Sequence, residues 1–283
     1  MTQNSARTDL ALECTEGISL ADGIRLSERG SAFHITEITV DSDADGAEIG
    51  KKQGHYLTLE YARILPDTAM LRAQAEELAA ELRRFLPEGA VLVAGLGNAD
   101  ITPDALGPQT AARVLATRHL RRELRGQEPD TAFLRGLRPV SVLANGVLGQ
   151  SGIENAELIG ALRETVQPAC IIAVDALACA SAARLGCTVQ ISDAGISPGS
   201  GVQNARAELS RQTLGIPVIA LGVPTVMDLH TAVRLSGGET DLPDMMVTPR
   251  DIDRLLHHAA RLLSLGINLA LHPQFSYEDA EAL

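Results

Sequence analysis

The segment that most constrains the fold begins where an apolar run, Ala90 to Ala94, passes into Gly95-Leu96-Gly97. A short apolar run bounded by turn residues is typical of a buried strand in a parallel sheet. The glycines allow a tight turn where that strand ends. Open α/β sheets bind their ligands at the carboxyl ends of the strands. The pattern therefore predicts that Asp104, which follows the turn, lies at the functional edge of a sheet.

A second apolar run, Cys170 to Val174, ends directly in Asp175. Two parallel strands would bring their carboxylates to the same edge. A carboxylate pair can activate water with one member and protonate a leaving group with the other. We therefore predict that Asp104 and Asp175 form a catalytic pair. The structural alternative for each is capping of the helix or turn that follows it.

The rest of the chain alternates between strand-like and helical patterns. Strands are predicted near 90–95, 139–144, 169–174, 187–192 and 217–221, and helices near 70–86, 107–124, 154–166, 202–213 and 225–235. A further helix is predicted to start with Thr248 as N-cap and to stop at Gly266. The alternation predicts an α/β fold, a doubly wound and mainly parallel sheet with flanking helices.

The N-terminal region is different in character. Residues 1–30 are polar and poorly periodic, whereas 32–40 and 55–60 are β-rich runs separated by an acidic stretch that contains glycine. These runs predict a β-hairpin insertion over residues 31–60 that adds to the larger sheet. We expect residues 10–283 to form a single α/β domain.

Composition excludes several classes of function. The chain has 283 residues, 45% of them apolar, and a formal net charge of −12 without a basic stripe. Direct nucleic-acid binding is therefore not expected. The cysteines and histidines show no metal-ligand spacing, so neither a metal nor another cofactor is predicted. No signal peptide or 18-residue apolar span is visible, and we expect a soluble cytoplasmic protein without a membrane partner.

Other motifs supply weaker candidates. The loop that contains Gly199, Ser200 and Gly201 precedes a predicted helix and could bind an anion, or could simply connect two elements. Asp193 ends a predicted strand and is either a supporting site residue or a turn-forming Asp. The first glycine loop has Asp100 where a dinucleotide fingerprint has its third Gly. A nucleotide-binding regulatory module is therefore a weak alternative.

Several motifs in one order resemble the germination endopeptidases of spore-forming bacteria, an atypical aspartic-type protease family. The matching segments are Gly95–Asn98, Thr102–Pro108, Gly146–Glu154, Val174–Ala178, Gln190–Asp193, Gly195–Gly201, Gly222–Val226, Met245–Asp253 and Asn268–Pro273. The resemblance covers nearly the whole chain. It implies a fold related to the hydrogenase-maturation endopeptidases, whose Gly-x-Gly-Asn loop is similar to the one that ends in Asn98.

The resemblance also implies a function. The family degrades the small acid-soluble proteins that coat DNA in dormant spores, is made as a zymogen, and is a homotetramer of the forespore or spore core. Its two catalytic aspartates fall on Asp104 and Asp175. Asn98, Asp193, Gly199, Ser200 and Gly201 are candidate substrate-binding or supporting residues.

The same resemblance suggests a processing site. The family's substrates are similar to Thr-Glu, an apolar residue, Ala, a small residue and Glu, cut after the first Glu. The segment Thr8-Asp9-Leu10-Ala11-Leu12-Glu13 is similar to that pattern. It implies a propeptide of residues 1–9 and cleavage between Asp9 and Leu10, favoured at mildly acidic pH.

The chain departs from the family pattern in three ways. It looks shorter than many members, and Ala99-Asp100 adds an acidic residue near Asp104. Asp175 is followed by Ala176-Leu177-Ala178-Cys179 where the family usually carries an Arg close behind. The main alternative function is a metal-dependent maturation endopeptidase of related fold, with the two aspartates as metal ligands. Sensitivity to chelators would separate it from the metal-free mechanism.

Overall fold

The computed structural model describes residues 7–62, 67–120, 132–202, 206–238 and 241–283. The strands are β1 (Ile24–Arg29), β2 (His34–Val40), β3 (Gly54–Glu60), β4 (Val91–Gly95), β5 (Val140–Ala144), β6 (Cys170–Cys179), β7 (Thr188–Ser192), β8 (Val218–Asp228) and β9 (Met246–Val247). The helices are α1 (Ala11–Thr15), α2 (Asp43–Gly46), α3 (Thr68–Arg83), α4 (Leu106–Ala111), α5 (Ala132–Arg135), α6 (Leu148–Ser151), α7 (Asn155–Val166), α8 (Arg211–Leu214), α9 (Leu229–Leu235), α10 (Ile252–Leu271) and α11 (Tyr277–Glu281). Short 3₁₀ turns cover Ala47–Ile49, Thr102–Asp104 and Ser200–Val202.

The strands form one mixed sheet in the order β1-β2-β3-β7-β8-β6-β4-β5, with β9 added beside β8. The β5-β4-β6-β8 part is parallel, and the strands from β8 through β7 to β1 are antiparallel. The prediction of an α/β sheet with flanking helices and an N-terminal β addition is confirmed. The sheet is mixed rather than mainly parallel.

The strand predicted near 187–192 accounts for much of that difference. β7 runs antiparallel to both β3 and β8. Only eight residues separate the end of β6 at Cys179 from the start of β7 at Thr188. A parallel strand needs a crossover of a dozen or more residues, usually a helix, so the short connection reverses the chain direction.

The predicted hairpin is present, and a further strand is added to it. β2 pairs with β3 from His34↔Glu60 to Val40↔Gly54, and β3 continues the ladder onto β7. β1, which lies in a region without clear periodicity, adds a third antiparallel strand at the edge. Its burial pattern explains why it was missed, because Ile24 is the one buried residue of the strand.

The sheet is buried on both faces at its centre. Val91 and Val93 of β4 pack into one hydrophobic cluster with α3 and α10, whereas Leu92 and Ala94 pack into a second cluster with α7. A central strand covered on both faces has a continuous apolar run instead of an alternating one. Burial on both faces therefore explains why the residues before Gly95 are continuously apolar.

The C-terminal helix differs from the prediction at both ends. α10 begins at Ile252 after Asp251, and the Thr248 hydroxyl instead donates to the Thr225 carbonyl at 2.8 Å. The helix also continues past Gly266 to Leu271. A Cβ at Gly266 would lie 2.5 Å from a Leu78 methyl group. Gly266 therefore allows close packing of α3 on α10 and does not end the helix.

Three other predicted helices are shorter. β8 continues to Asp228, so the helix predicted near 225–235 begins only at Leu229. The helix predicted near 202–213 is represented by α8, with residues 203–205 outside the described residues. The helix predicted near 107–124 ends at Ala111 as α4, and its predicted last turn, 121–124, also lies outside them.

Candidate active site

Asp104 lies in the 3₁₀ turn that follows β4. The preceding Gly97 has φ +107°, and a Cβ at this position would lie 2.0 Å from the Asp104 carbonyl oxygen, so only glycine fits. The Asn98 backbone N–H donates to Asp104 Oδ2 at 2.7 Å. The Thr225 hydroxyl of β8 donates to the Pro103 carbonyl at 2.6 Å. The first contact holds the carboxylate, and the second holds the turn that carries it.

Asp175 lies within β6, directly opposite Gly222 of β8. It is 5% exposed, and its Oδ1 accepts a hydrogen bond from the Ala176 N–H at 2.9 Å. The sequence placed Asp175 after the strand, but β6 continues to Cys179. The carboxyl group therefore projects from the middle of a strand whose last residues extend beyond β4, since the last β4 residue, Gly95, pairs with Val174.

Asp104 and Asp175 line the same cavity, which has a volume of about 520 Å³. A third carboxyl group, that of Asp9, lines it as well. Other lining residues come from the glycine loops and from α6: Gly97, Asn98, Gly149, Gly199 and Gly201. The structure thus brings together the two predicted catalytic residues and the predicted cleavage site.

The surroundings of the two carboxyl groups favour the protonated form of Asp175. Burial raises the pKa of Asp175 well above its ordinary value, and repulsion from Asp104 and Asp9 raises that pKa further. Burial also raises the pKa of Asp104, but the Asn98 N–H opposes that rise. Each carboxyl group accepts one backbone N–H, from Ala176 or from Asn98, so the difference comes from the neighbouring carboxyl groups and the deeper burial, which favour the proton on Asp175.

Asp9 binds the exposed edge of β6 beyond the end of β4. Its backbone N–H donates to the Ala178 carbonyl at 2.9 Å, and its Oδ2 accepts from the Ala178 N–H at 2.8 Å. The Ser200 hydroxyl donates to the other oxygen, Oδ1, at 2.8 Å. The Asp9 carboxylate is therefore bound by one strand and one glycine loop.

The second glycine loop is shaped for this contact. A Cβ at Gly201 would lie 2.3 Å from Asp9 Oδ2 and 2.7 Å from the Ala178 Cβ. The sequence left an anion site and a plain connection open for this loop, and the Ser200 hydroxyl contacts a carboxylate of the same chain. The loop continues into a three-residue 3₁₀ turn and not into the predicted helix.

The Asp9 carbonyl oxygen has two donors of its own. Lys51 Nζ lies 2.8 Å from it and Gln190 Nε2 lies 2.9 Å from it. The sequence analysis missed both residues. Lys51 occupies the acidic loop between the hairpin strands and has no local signal. Gln190 lies in the strand Thr188–Ser192, where polar and apolar residues alternate although all five are buried, so its sequence does not mark it as a site residue either.

The residues after Asp9 are also bound. Leu10 is fully buried against Leu177, Cys179, Leu185 and Met227. Glu13, in the first helical turn after it, accepts hydrogen bonds from the Ala180 N–H at 2.6 Å and the Ser181 N–H at 2.9 Å. Arg184 Nη1 lies 3.5 Å from a Glu13 oxygen. The whole segment that resembles a substrate is therefore in contact with the protein.

The other two predicted site residues have different positions. Asn98 lies at the site, where its Oδ1 accepts from Gln150 Nε2 at 2.8 Å and so joins the first glycine loop to α6. Asp193 does not line the cavity with the aspartate pair. It binds the His55 N–H at 2.6 Å and His55 Nδ1 at 3.0 Å. Because β7 is antiparallel, its carboxyl end lies toward the opposite edge of the sheet.

Two kinds of feature are absent from the described ranges. No group of three or more His, Cys, Asp and Glu side chains in these ranges is arranged to hold a metal ion. No helix in the same part of the chain is long and apolar enough to span a bilayer.

Comparison with known proteins identifies the chain as a peptidase. The family model described as germination protease matches residues 4–236. A germination protease of Clostridium acetobutylicum is 34% identical over 98% of this chain and 98% of its own length. One from Clostridium tetani is 35% identical over 97% of this chain and 98% of its own length. One from Bacillus cereus is 34% identical over 100% of this chain and 98% of its own length.

The chain belongs to the germination protease family. Among solved structures, a [NiFe] hydrogenase maturation protease from Thermococcus kodakarensis aligns with 66% of this chain and 99% of its own, at 19% identity and a TM-score of 0.36. That similarity is too low to support an inference about shared chemistry.

Proposed function

We propose that the protein is an aspartic-type endopeptidase that begins the degradation of small acid-soluble spore proteins during germination. The observation that carries this proposal is the shared cavity of Asp104 and Asp175, occupied at one side by the substrate-like segment around Asp9. Membership of a protease family supports the reaction class. The bound segment supports the substrate class, because it is similar to the cleavage pattern of these spore proteins.

In the proposed mechanism Asp104 is the base and Asp175 the acid. Asp104 takes a proton from water as the water oxygen attacks the peptide carbonyl carbon. Asp175 gives its proton to the amide nitrogen as the C–N bond breaks. The assignment follows from the environments of the two groups. Burial and two neighbouring carboxyl groups raise the pKa of Asp175, whereas burial alone raises that of Asp104, and one backbone N–H opposes the rise at each.

We also propose that the protein is a zymogen that removes residues 1–9 by cutting between Asp9 and Leu10. The contacts of Asp9 with Ala178 and Ser200 support recognition of an acidic residue before the cut. The burial of Leu10 and the amide contacts of Glu13 support recognition after it. Residues 1–6 of the proposed propeptide lie outside the described residues.

The deciding experiment is incubation of the pure protein with a small acid-soluble spore protein, followed by mass mapping of the fragments. Cuts after Glu within the Thr-Glu pattern support the proposal. Random fragments or an intact substrate contradict it. Exhaustive chelation is expected to leave the rate unchanged, whereas loss on chelation with rescue by one divalent ion would favour the metal-dependent alternative.

Assembly and location complete the proposal. Following the family resemblance, we propose a homotetramer in the forespore and spore core that binds neither nucleic acid nor membrane. Light scattering coupled to gel filtration tests the tetramer by a mass four times that of the chain. Fractionation of sporulating cells tests the location.

A further inference from the structure

Two hydrogen-bond donors already hold the carbonyl oxygen of Asp9, the residue before the peptide bond that we propose is cut. Lys51 Nζ, at 2.8 Å, and Gln190 Nε2, at 2.9 Å, both donate to the carbonyl oxygen of Asp9. One donor is an ammonium group and the other a buried amide. In peptide hydrolysis this oxygen gains negative charge as water adds to the carbonyl carbon, and donors directed at it stabilise the transition state.

The sheet explains how Gln190 reaches this position. Gln190 of β7 pairs with Gly222 of β8, and Gly222 pairs with Asp175 of β6. The three residues thus lie in one row across the sheet with their side chains on one face. Gly222 has no side chain, and Leu177 packs over it between the other two residues. A Cβ at Gly222 would lie 2.7 Å from the Leu177 side chain.

The amide of Gln190 is also fixed in orientation. Its Oε1 accepts a hydrogen bond from the Ala11 N–H at 2.7 Å, which leaves Nε2 directed at the Asp9 carbonyl. One side chain therefore binds both sides of the proposed cleavage point. Such a bridge holds the intervening peptide bond in a defined position, which is a requirement for rapid attack by water.

Lys51 comes from the other side, from the loop between β2 and β3. The loop is closed by the Lys51 N–H, which donates to the Gly46 carbonyl at 3.0 Å. A Cβ at Gly46 would lie 2.0 Å from the Lys51 carbonyl oxygen, so the loop depends on glycine at this turn. The N-terminal β addition thus has a chemical role that its sequence does not suggest, because it delivers a cation to the Asp9 carbonyl.

We propose that Lys51 and Gln190 form the oxyanion-stabilising pair of this peptidase. The inference rests on the proposed function, in which Asp104 and Asp175 hydrolyse the bond after Asp9. As the water oxygen bonds to the Asp9 carbonyl carbon, Asp104 takes the water proton and the carbonyl π electrons move onto the oxygen held by Lys51 and Gln190. When the C–N bond breaks, an electron pair on this oxygen reforms the carbonyl, and Asp175 gives its proton to the Leu10 nitrogen.

The alternative is that the two donors only dock the N-terminal segment. The two roles differ in what a substitution changes. A docking residue affects whether Asp9 is bound, whereas an oxyanion donor affects the rate once Asp9 is bound. The N–H of Asp9, which donates to the Ala178 carbonyl at 2.9 Å, reports docking directly through its protection from hydrogen exchange.

The test uses the full-length chain and measures its first-order rate of self-processing together with exchange protection of the Asp9 amide. Lys51→Met removes the ammonium group and keeps the length of the side chain. Gln190→Glu keeps an acceptor for the Ala11 N–H and removes the donor to the carbonyl. We expect each variant to process roughly 10²- to 10³-fold more slowly with the Asp9 amide still protected.

Two controls accompany the test. Lys52→Met changes the neighbouring lysine, whose Nζ pairs with Glu208, and should process at the wild-type rate. Lys51→Arg retains a cationic donor and should recover most of the lost rate. Thermal unfolding confirms that each variant is folded.

If the wild-type protein is active, either of two results would overturn the proposed role of Lys51 and Gln190 without overturning the proposed function. The first is a wild-type rate in both variants, and the second is a slow rate that is accompanied by lost protection at Asp9. A wild-type chain that never processes, and is no different from Asp104→Asn, would instead overturn the proposed function and this inference with it.

Discussion

Asp175 shows how one buried carboxyl group couples chemistry to stability. It is 5% exposed and lies near Asp104 and Asp9, both of which raise its pKa in addition to the effect of burial. A native state that raises the pKa of an acid binds more protons than the unfolded state. Its stability then falls as the pH rises from the unfolded pKa, about 3.9, toward the native pKa.

Asp175→Asn removes this titration and keeps an oxygen that can accept the Ala176 N–H. We expect the variant to gain stability relative to wild type as the pH rises above about 4, by at most about 1.4 kcal/mol per pH unit. Denaturant unfolding of both proteins across this range measures the difference. A difference that is constant with pH would show that Asp175 has an ordinary pKa.

The catalytic assignment is tested by single oxygen-to-nitrogen changes. Asp104→Asn and Asp175→Asn should each lower the rate of spore-protein cleavage by at least about 10²- to 10⁴-fold, because each removes a proton-transfer group. Both variants should remain folded, as judged by circular dichroism. Asp193→Asn is the matched control, since Asp193 binds His55 and lies outside the cavity. Loss of activity in that control with retention in Asp175→Asn would refute the assignment.

At the scale of elements, the important feature is the overhang of β6. β4 pairs with β6 only as far as Val174, so the next residues of β6 have backbone groups available on that side. The Asp9 backbone pairs with Ala178 of this overhang. An extended substrate can add to a free strand edge in the same way, with specificity supplied by pockets along it. We expect the glycine loop at Ser200 and Gly201, which contacts the Asp9 carboxylate, to form one such pocket.

Ser200→Ala tests whether this loop recognises a carboxylate. A hydrogen bond to a charged group contributes about 1.5–3 kcal/mol, and Ser200 is exposed, so we expect an effect of roughly tenfold. Asp9→Asn should slow self-processing of the otherwise wild-type chain. The same substitution should have a smaller effect in a chain that already carries Ser200→Ala. The four processing rates form a double-mutant cycle.

The matched control for this cycle is Ser236→Ala, which removes an exposed hydroxyl that donates to the Ala232 carbonyl in α9. It should leave the preference for Asp at position 9 unchanged. If the fold-change of the double variant equals the product of the two single fold-changes, Ser200 does not recognise the Asp9 side chain.

At the scale of the whole molecule, residues far apart in sequence meet around one peptide bond. The Asp9 carboxylate is bound by Ala178, 169 positions away, and by Ser200, 191 positions away. Its carbonyl is bound by Lys51 from the N-terminal β addition and by Gln190 from the centre of the sheet. The bound segment lines the cavity of the aspartate pair, as the proposed zymogen requires.

Self-processing should therefore depend on pH in a bell shape. At low pH Asp104 gains a proton and cannot act as base, and at high pH Asp175 loses the proton that the leaving nitrogen needs. Because the pKa values of both groups are raised, we expect the maximum at mildly acidic pH, above the ordinary carboxyl pKa of about 3.9.

N-terminal sequencing of protein held at a series of pH values checks this prediction. A new terminus at Leu10 should appear fastest at mildly acidic pH and be absent in Asp104→Asn. An N-terminus upstream of Arg7 that persists at every pH would rule out self-cleavage at this bond.

Much of the site could be predicted from local sequence. The positions of Asp104 and Asp175 follow from an apolar run and a nearby carboxylate, because strand burial and glycine turns are determined within a few residues. The cleavage segment around Asp9 is likewise a local pattern. The hairpin was predictable because β2 and β3 are rich in β-forming residues, whereas β1 has one buried residue and was missed.

The sequence by itself determined the aspartate pair, the glycine turns, the alternation of strands and helices, and the resemblance to a protease family. Only the tertiary structure decided the direction of β7, the continuation of α10 through Gly266, and the meeting of Lys51 and Gln190 at the Asp9 carbonyl. The physical reason is the range of the interactions. Periodicity and turn chemistry act over a few residues, whereas packing between helices and contacts across the sheet depend on positions that no local pattern encodes.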